Sequence, residues 1–127
     1  MSKWSHLANA KHIDRIIAHV KAHPKAWNAA GRDAAWDAAW YSAWDAVRQA
    51  VYDEAAFEAT WSAANDAVGA SRFAARGAVL ALVAWDHAGG LMDLPAEQVK
   101  VLSLLGDQAA ILMYLAIVAM ETTQELV

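Results

Sequence analysis

Cysteine is absent from the 127 residues, so the chain has no disulfide, no thiolate metal site and no cysteine nucleophile. That absence suits a reducing interior, and a cytoplasmic location is expected. Only two prolines occur, at Pro24 and Pro95, so few positions forbid helix. Runs of Val, Ile and Thr with period-two alternation are also missing, which argues against strands. Basic residues are scarce. With 10 Lys and Arg against 14 Asp and Glu, the net charge is -4, and a broad phosphate-binding footprint for duplex DNA or RNA is excluded. No apolar stretch reaches the roughly 20 residues of a membrane span. The longest, AAILMYLAIVAM at 109–120, reads as a buried helix, so no membrane association is expected. The N-terminal MSKWSHLANAKHIDR lacks an apolar run behind its basic residues and does not read as a secretory signal.

What is abundant is alanine, the strongest helix former, together with seven tryptophans. The expected fold is all-α: one domain over 1–127, a bundle of about five helices with a long Trp/Ala-rich helix at its centre. The first helix is expected from Ser5 to Ala22, with Leu7, Ala10, Ile13, Ile17 and Val20 on one stripe and a stop before Pro24. The second starts near Pro24 or Asp33 and runs past Tyr52, towards Val68. A third carries RFAARGAVLALVAWDHA from a cap at Ser71 to the pair Gly89-Gly90. Asp93 and Pro95 open a short fourth helix through Leu105, Gly106 stops it, and Asp107 caps the last. Because 109–120 is apolar all round, five short helices have difficulty covering it, and a homo-oligomer is expected to bury it.

The segment RDAAWDAAWYSAWD at 32–45 is a short internal repeat. In steps of four, Arg32, Trp36, Trp40, Trp44, Arg48 and Tyr52 form one lane, and Asp33, Asp37, Tyr41, Asp45, Gln49 and Asp53 the next. A helix turns about 100° per residue, so each four-residue step overshoots a turn by about 40° and the lanes spiral. Trp36 and Trp44 therefore point about 80° apart. Three uses compete: anchors of a core or subunit interface, walls of a pocket for an aromatic anion met by Arg32 or Arg48, and a surface shown to a partner protein. Trp27 and Trp61 each continue an apolar stripe and are assigned to the core. Buried indole N–H groups need acceptors, for which the Asp lane, Asn28 and Asn65 are candidates.

Signals of chemistry are weak. His19 and His23, spaced i, i+4, share a side, but no HExxH pattern accompanies them and no metal site is assigned. Asp86 and His87 before the two glycines read as a helix end, with His87 at the dipole and Gly89 in the left-handed conformation. Arg72 and Arg76 share a face and are expected to pair with carboxylates rather than form an anion site. No nucleophile elbow, P-loop or dinucleotide fingerprint occurs, so no catalytic residue, enzyme activity or cofactor is assigned.

Over residues 29–50, the run RDAAWDAAWYSAWDA resembles a group of small phage and bacterial proteins carrying tandem alanine-rich DAAWDAAW helical repeats. The resemblance implies an accessory factor acting on host pathways, such as an anti-defence protein that binds a host protein or soaks up a nucleotide signal. No residue is matched to a functional site by it. Two functions stand out. In the leading one, an oligomeric helical protein sequesters a small aromatic anion, such as a nucleotide-derived signal, using Arg32, Trp36, Trp40, Trp44, Arg48 and Tyr52. In the other, the tryptophans are structural and the protein inhibits or scaffolds a host protein.

Overall fold

The computed structural model describes residues 4–5, 7–27, 34–50, 61–63, 65–66 and 73–125. Among these there is no strand, and the fold is all-α. The helices whose bounds lie within the described residues are α1 Ala10–Ala22, α2 Ala34–Ala50, α3 Phe73–Ala84, α4 Ala96–Leu104 and α5 Gln108–Glu125. There are also two 3₁₀ segments, Pro24–Trp27 just after α1 and Asp86–Asp93 between α3 and α4. Residues 61–63 and 65–66 are also helical. The expected helix past Tyr52 to Val68 falls largely outside the described residues. No helix among the described residues is long and apolar enough to cross a membrane.

The first helix is shorter than its apolar pattern indicates. Trp4, Ser5, Ala8 and Asn9 lie in turns, with Leu7 N–H donating to Trp4 C=O at 3.0 Å, and the helix begins at Ala10. Asn9 sits at the cap position but turns its side chain elsewhere. Its Nδ2 donates to the carbonyls of Leu82 and Trp85, both at 3.0 Å, where α3 ends. The last carbonyls of a helix lack intrahelical partners, and a buried amide meets that need from more than 70 residues away in sequence. Ile13, Ile16, Ile17 and Val20 form the buried face of α1.

Pro24 does not open α2. It starts the 3₁₀ turn that carries Trp27 into the core, where its ring is 1% exposed. The expected break at Gly89-Gly90 also moves. α3 stops at Ala84, and both glycines lie inside the second 3₁₀ segment. Gly89 does not adopt the left-handed conformation; Gly106, at φ 94°, is the only described glycine with positive φ. Gly89 is required for space, because a Cβ there would lie 2.3 Å from Asn9 Oδ1 and 2.6 Å from His12 Cδ2.

The α4–α5 junction matches its sequence signals closely. Asp107 N–H donates to Leu102 C=O and Gly106 N–H to Ser103 C=O, both at 3.1 Å, which is the paired closure of a Schellman motif around left-handed Gly106. Asp107 Oδ1 then accepts the Ala110 N–H at 3.1 Å and caps α5.

Spatially, α5 rather than α2 is the helix surrounded by the others. It packs against α2, α3, α4 and both 3₁₀ segments. Ala109, Ala110, Leu112, Met113, Ala116, Ile117 and Ala119 are buried on it. A helix apolar around its circumference needs cover on several sides, and within this chain its own neighbours supply much of that cover. The amount of apolar material in 109–120 is therefore no argument for an oligomer. α3 is likewise enclosed, with Ala74, Ala75 and every residue from Gly77 to Leu82 buried, its small side chains admitting close neighbours.

Candidate functional site

The spiral of the tryptophan lane separates a buried Trp36 from the half-buried Trp40 and Trp44. The buried side of α2 is Trp36, Ala39, Ala43 and Val47, an i, i+3, i+4 stripe against α3 and α5. Trp36 belongs to that stripe and is 4% exposed, whereas Trp40 and Trp44, each turned about 40° further round, are half-buried. The opposite side of α2 presents Ala34, Ala38, Tyr41 and Asp45, all exposed, with Asp37 half-buried at its edge.

The rings satisfy one another. Trp36 and Trp40 stack with centroids 5.2 Å apart and planes at 16°. Trp61, 8% exposed, meets Trp40 edge-on at 5.5 Å and Trp44 at 5.8 Å. Such pairs stabilise by about 0.5–1.5 kcal/mol each beyond the area they bury. From α3, the Arg76 guanidinium sits over Trp40, 5.5 Å from its centroid, while Arg76 Nε donates to Asn65 Oδ1 at 2.6 Å. Beneath Trp36 lies Gly77: a Cβ at that position would be 2.9 Å from Cζ2 and 3.0 Å from Nε1 of the indole. The missing side chain of Gly77 is what lets this large ring of α2 lie against α3.

Of the six residues assigned to a ligand lane, the structure thus brings Trp36, Trp40 and Trp44 into one aromatic cluster. Arg32 and Tyr52 lie outside the described residues; Arg48 belongs to α2, but its side chain lies outside them too. Among the described residues, the cation over the rings is Arg76, from a different helix. Its i, i+4 relation to Arg72 is visible in sequence, but nothing local indicates that Trp40 and Asn65 are its partners. Trp61, assigned to the core on its apolar stripe, is buried and makes edge contacts with both Trp40 and Trp44.

Two other indoles find acceptors, an aspartate and a histidine, both outside the expected set. Trp4 Nε1 donates to Asp14 Oδ1 and Trp27 Nε1 to His19 Nδ1, both at 2.8 Å. The Trp27 bond requires Nδ1 of His19 to be unprotonated. Burial, aided by the nearby His23 whose ring lies 4.8 Å away, holds the His19 pKa below its ordinary 6.5. His87 is exposed, and it lies 3.6 Å from the carboxylate of Asp107. Among the described residues, no group of three or more His, Cys, Asp or Glu is placed to hold a metal.

No family model, curated protein or solved structure matches this chain.

Proposed function

We propose that this is a non-enzymatic helical interaction protein that inhibits or scaffolds a partner protein, with the tryptophan ladder holding the fold and the outer face of α2 making the contact. The observation that carries this reading is the sorting of α2. Its tryptophans turn towards Trp61, Arg76 and Gly77, and its opposite lane leaves Tyr41 68% exposed between Asp37 and Asp45, with alanines around it. Tyrosine offers a large rigid contact with a polar tip, and it is enriched among residues that dominate binding energies. Short alanine side chains around it let a partner backbone approach. Acidic neighbours select a basic partner surface and accelerate encounter at low salt. In the phage or bacterial setting that the repeat implies, the partner is a host protein.

The test is a complex isolated with wild-type protein, identified, then reconstituted and measured by calorimetry with Tyr41→Ala and Asp45→Lys variants. A loss of about tenfold or more for each, together with weakening at high salt, supports the reading. An unchanged affinity in both variants removes α2 as the contact face.

A second reading keeps a specific observation in its favour: Trp40 and Trp44 are half-buried and a guanidinium lies over Trp40. That combination suits a small aromatic anion such as a nucleotide, stacked on indole and neutralised by arginine. Native mass spectrometry separates the two. A stoichiometric nucleotide-sized mass released on denaturation supports sequestration, and it should vanish in a folded Trp44→Ala/Arg76→Ala variant. Retention of the mass in that variant sinks this site assignment.

A further inference from the structure

A cavity of about 280 Å³ lies where α1, the second 3₁₀ segment and α5 meet, and it shares no residue with the aromatic cluster or the outer face of α2. Its walls carry charge of both signs: Arg15 from α1, Asp93 from the end of the 3₁₀ segment and Glu121 from α5. Met92, Ile117 and Met120 give it an apolar lining, with Ile117 only 4% exposed and both methionines half-buried. Glu121 is held in place by a second duty. Pro95, at the cap position of α4, offers no side-chain cap, and Glu121 Oε1 accepts the Ala96 N–H at 2.9 Å instead. Among the described residues, Glu121 Oε2 accepts no hydrogen bond, and none of Arg15, Asp93 and Glu121 forms an ion pair. Opposite charges thus line one cavity without meeting, and each keeps capacity for a partner.

We propose that this cavity binds a free α-amino acid with an apolar side chain. The ligand carboxylate takes the forked guanidinium of Arg15, its ammonium meets Asp93 and Glu121 Oε2, and its side chain lies on Met92, Ile117 and Met120. Charge selects a zwitterion. A plain anion would face two carboxylates and a plain cation would face the guanidinium, whereas a molecule with both signs supplies every wall with its partner. Size agrees, because the volume falls just under the about 300–1,000 Å³ of pockets that hold drug-sized ligands, and it suits a single amino acid rather than a peptide. Methionine walls adapt to different shapes, so leucine, methionine and phenylalanine are all accepted, while aspartate, which would set a further carboxylate against an apolar lining, is refused. The site goes beyond the function proposed above and stands or falls independently of it.

The test is isothermal titration calorimetry of the full chain with leucine, leucinamide, N-acetylleucine and aspartate. Leucine should bind one to one. Leucinamide, which lacks the carboxylate, and N-acetylleucine, which lacks the ammonium, should each bind about tenfold or more weaker, and aspartate weaker still. Arg15→Ala should cost leucine about tenfold or more and leave leucinamide unchanged, whereas Asp93→Asn should weaken leucine and leave N-acetylleucine unchanged. Both side chains are exposed, so the two variants should keep the wild-type circular-dichroism spectrum and ligand-free melting temperature, which separates a lost contact from a lost fold. Absence of binding by leucine, methionine and phenylalanine into the millimolar range overturns the proposal. So does leucinamide binding as tightly as leucine, which would mark a site for a cation, or full leucine affinity in the Arg15→Ala variant.

Discussion

Replacing Gly77 by alanine sets two opposed effects against each other at the centre of the aromatic cluster. Gly77 lies inside α3, where alanine is favoured over glycine by about 1 kcal/mol. Against this, the new Cβ falls 2.9, 3.0 and 3.2 Å from Cζ2, Nε1 and Cε2 of Trp36. Comfortable carbon contacts lie near about 3.5–4.0 Å, so one side must move by about half an ångström. The indole has little room to do so, being 4% exposed and stacked on Trp40. Overpacking of this kind costs about 1–3 kcal/mol. The net expectation is a destabilisation of about 1 kcal/mol, or a fall of about 3–5 °C in melting temperature for a chain of this length. In a Trp36→Leu background the flat ring is gone, and the same Gly77→Ala change should stabilise by about 0.5–1 kcal/mol. Urea unfolding of the four proteins in the cycle, monitored by far-ultraviolet circular dichroism, measures both signs and the coupling between them. A full stabilisation of about 1 kcal/mol by Gly77→Ala in wild type, with no coupling to Trp36, would refute the seating of the indole on α3.

Other perturbations test the remaining joints. Asn9→Ala removes both donors to the Leu82 and Trp85 carbonyls, and urea unfolding should show a loss of about 1–3 kcal/mol; a loss below about 0.5 kcal/mol counts against the bonds. Because the His19 pKa is lowered in the folded state, the unfolded chain binds more protons between that lowered value and 6.5. Stability from His19 is therefore fully present above 6.5 and falls as pH drops through this window, and His19→Gln should flatten that part of the melting-temperature profile; an unchanged slope refutes the assignment. Asp107→Ala removes the α5 cap and should cost about 1 kcal/mol, measured at a pH where the carboxylate is ionised. Gly106→Ala forces a side chain into φ 94° and should destabilise by about 1–2 kcal/mol, with Gly90→Ala, which meets no atom within 4 Å, as the mild comparison.

Several features were decided by the order of residues alone, since they depend on interactions within a few positions. Helix was favoured throughout by alanine, the α4–α5 turn by Gly106 and Asp107, and the turning of Trp40 and Trp44 away from the buried stripe of Trp36 by the mismatch between a four-residue repeat and a 3.6-residue helix. Even the outward lane of Tyr41 and Asp45 is implicit in that geometry. The two apolar sides of α4 are present in the spacing of Val99, Val101, Leu104 and Leu105, but over so few turns the pattern does not say which side is covered. Tertiary structure decided the rest. Arg76 meets Trp40, Asn9 finishes α3, His19 accepts from Trp27, Gly89 makes room for His12, and α5 becomes the enclosed helix in place of α2. Each of these joins segments that are separate in the chain or turns on which neighbour fills a given space. Local periodicity specifies which way a side chain points from its own helix axis; what it meets there depends on how the helices pack together.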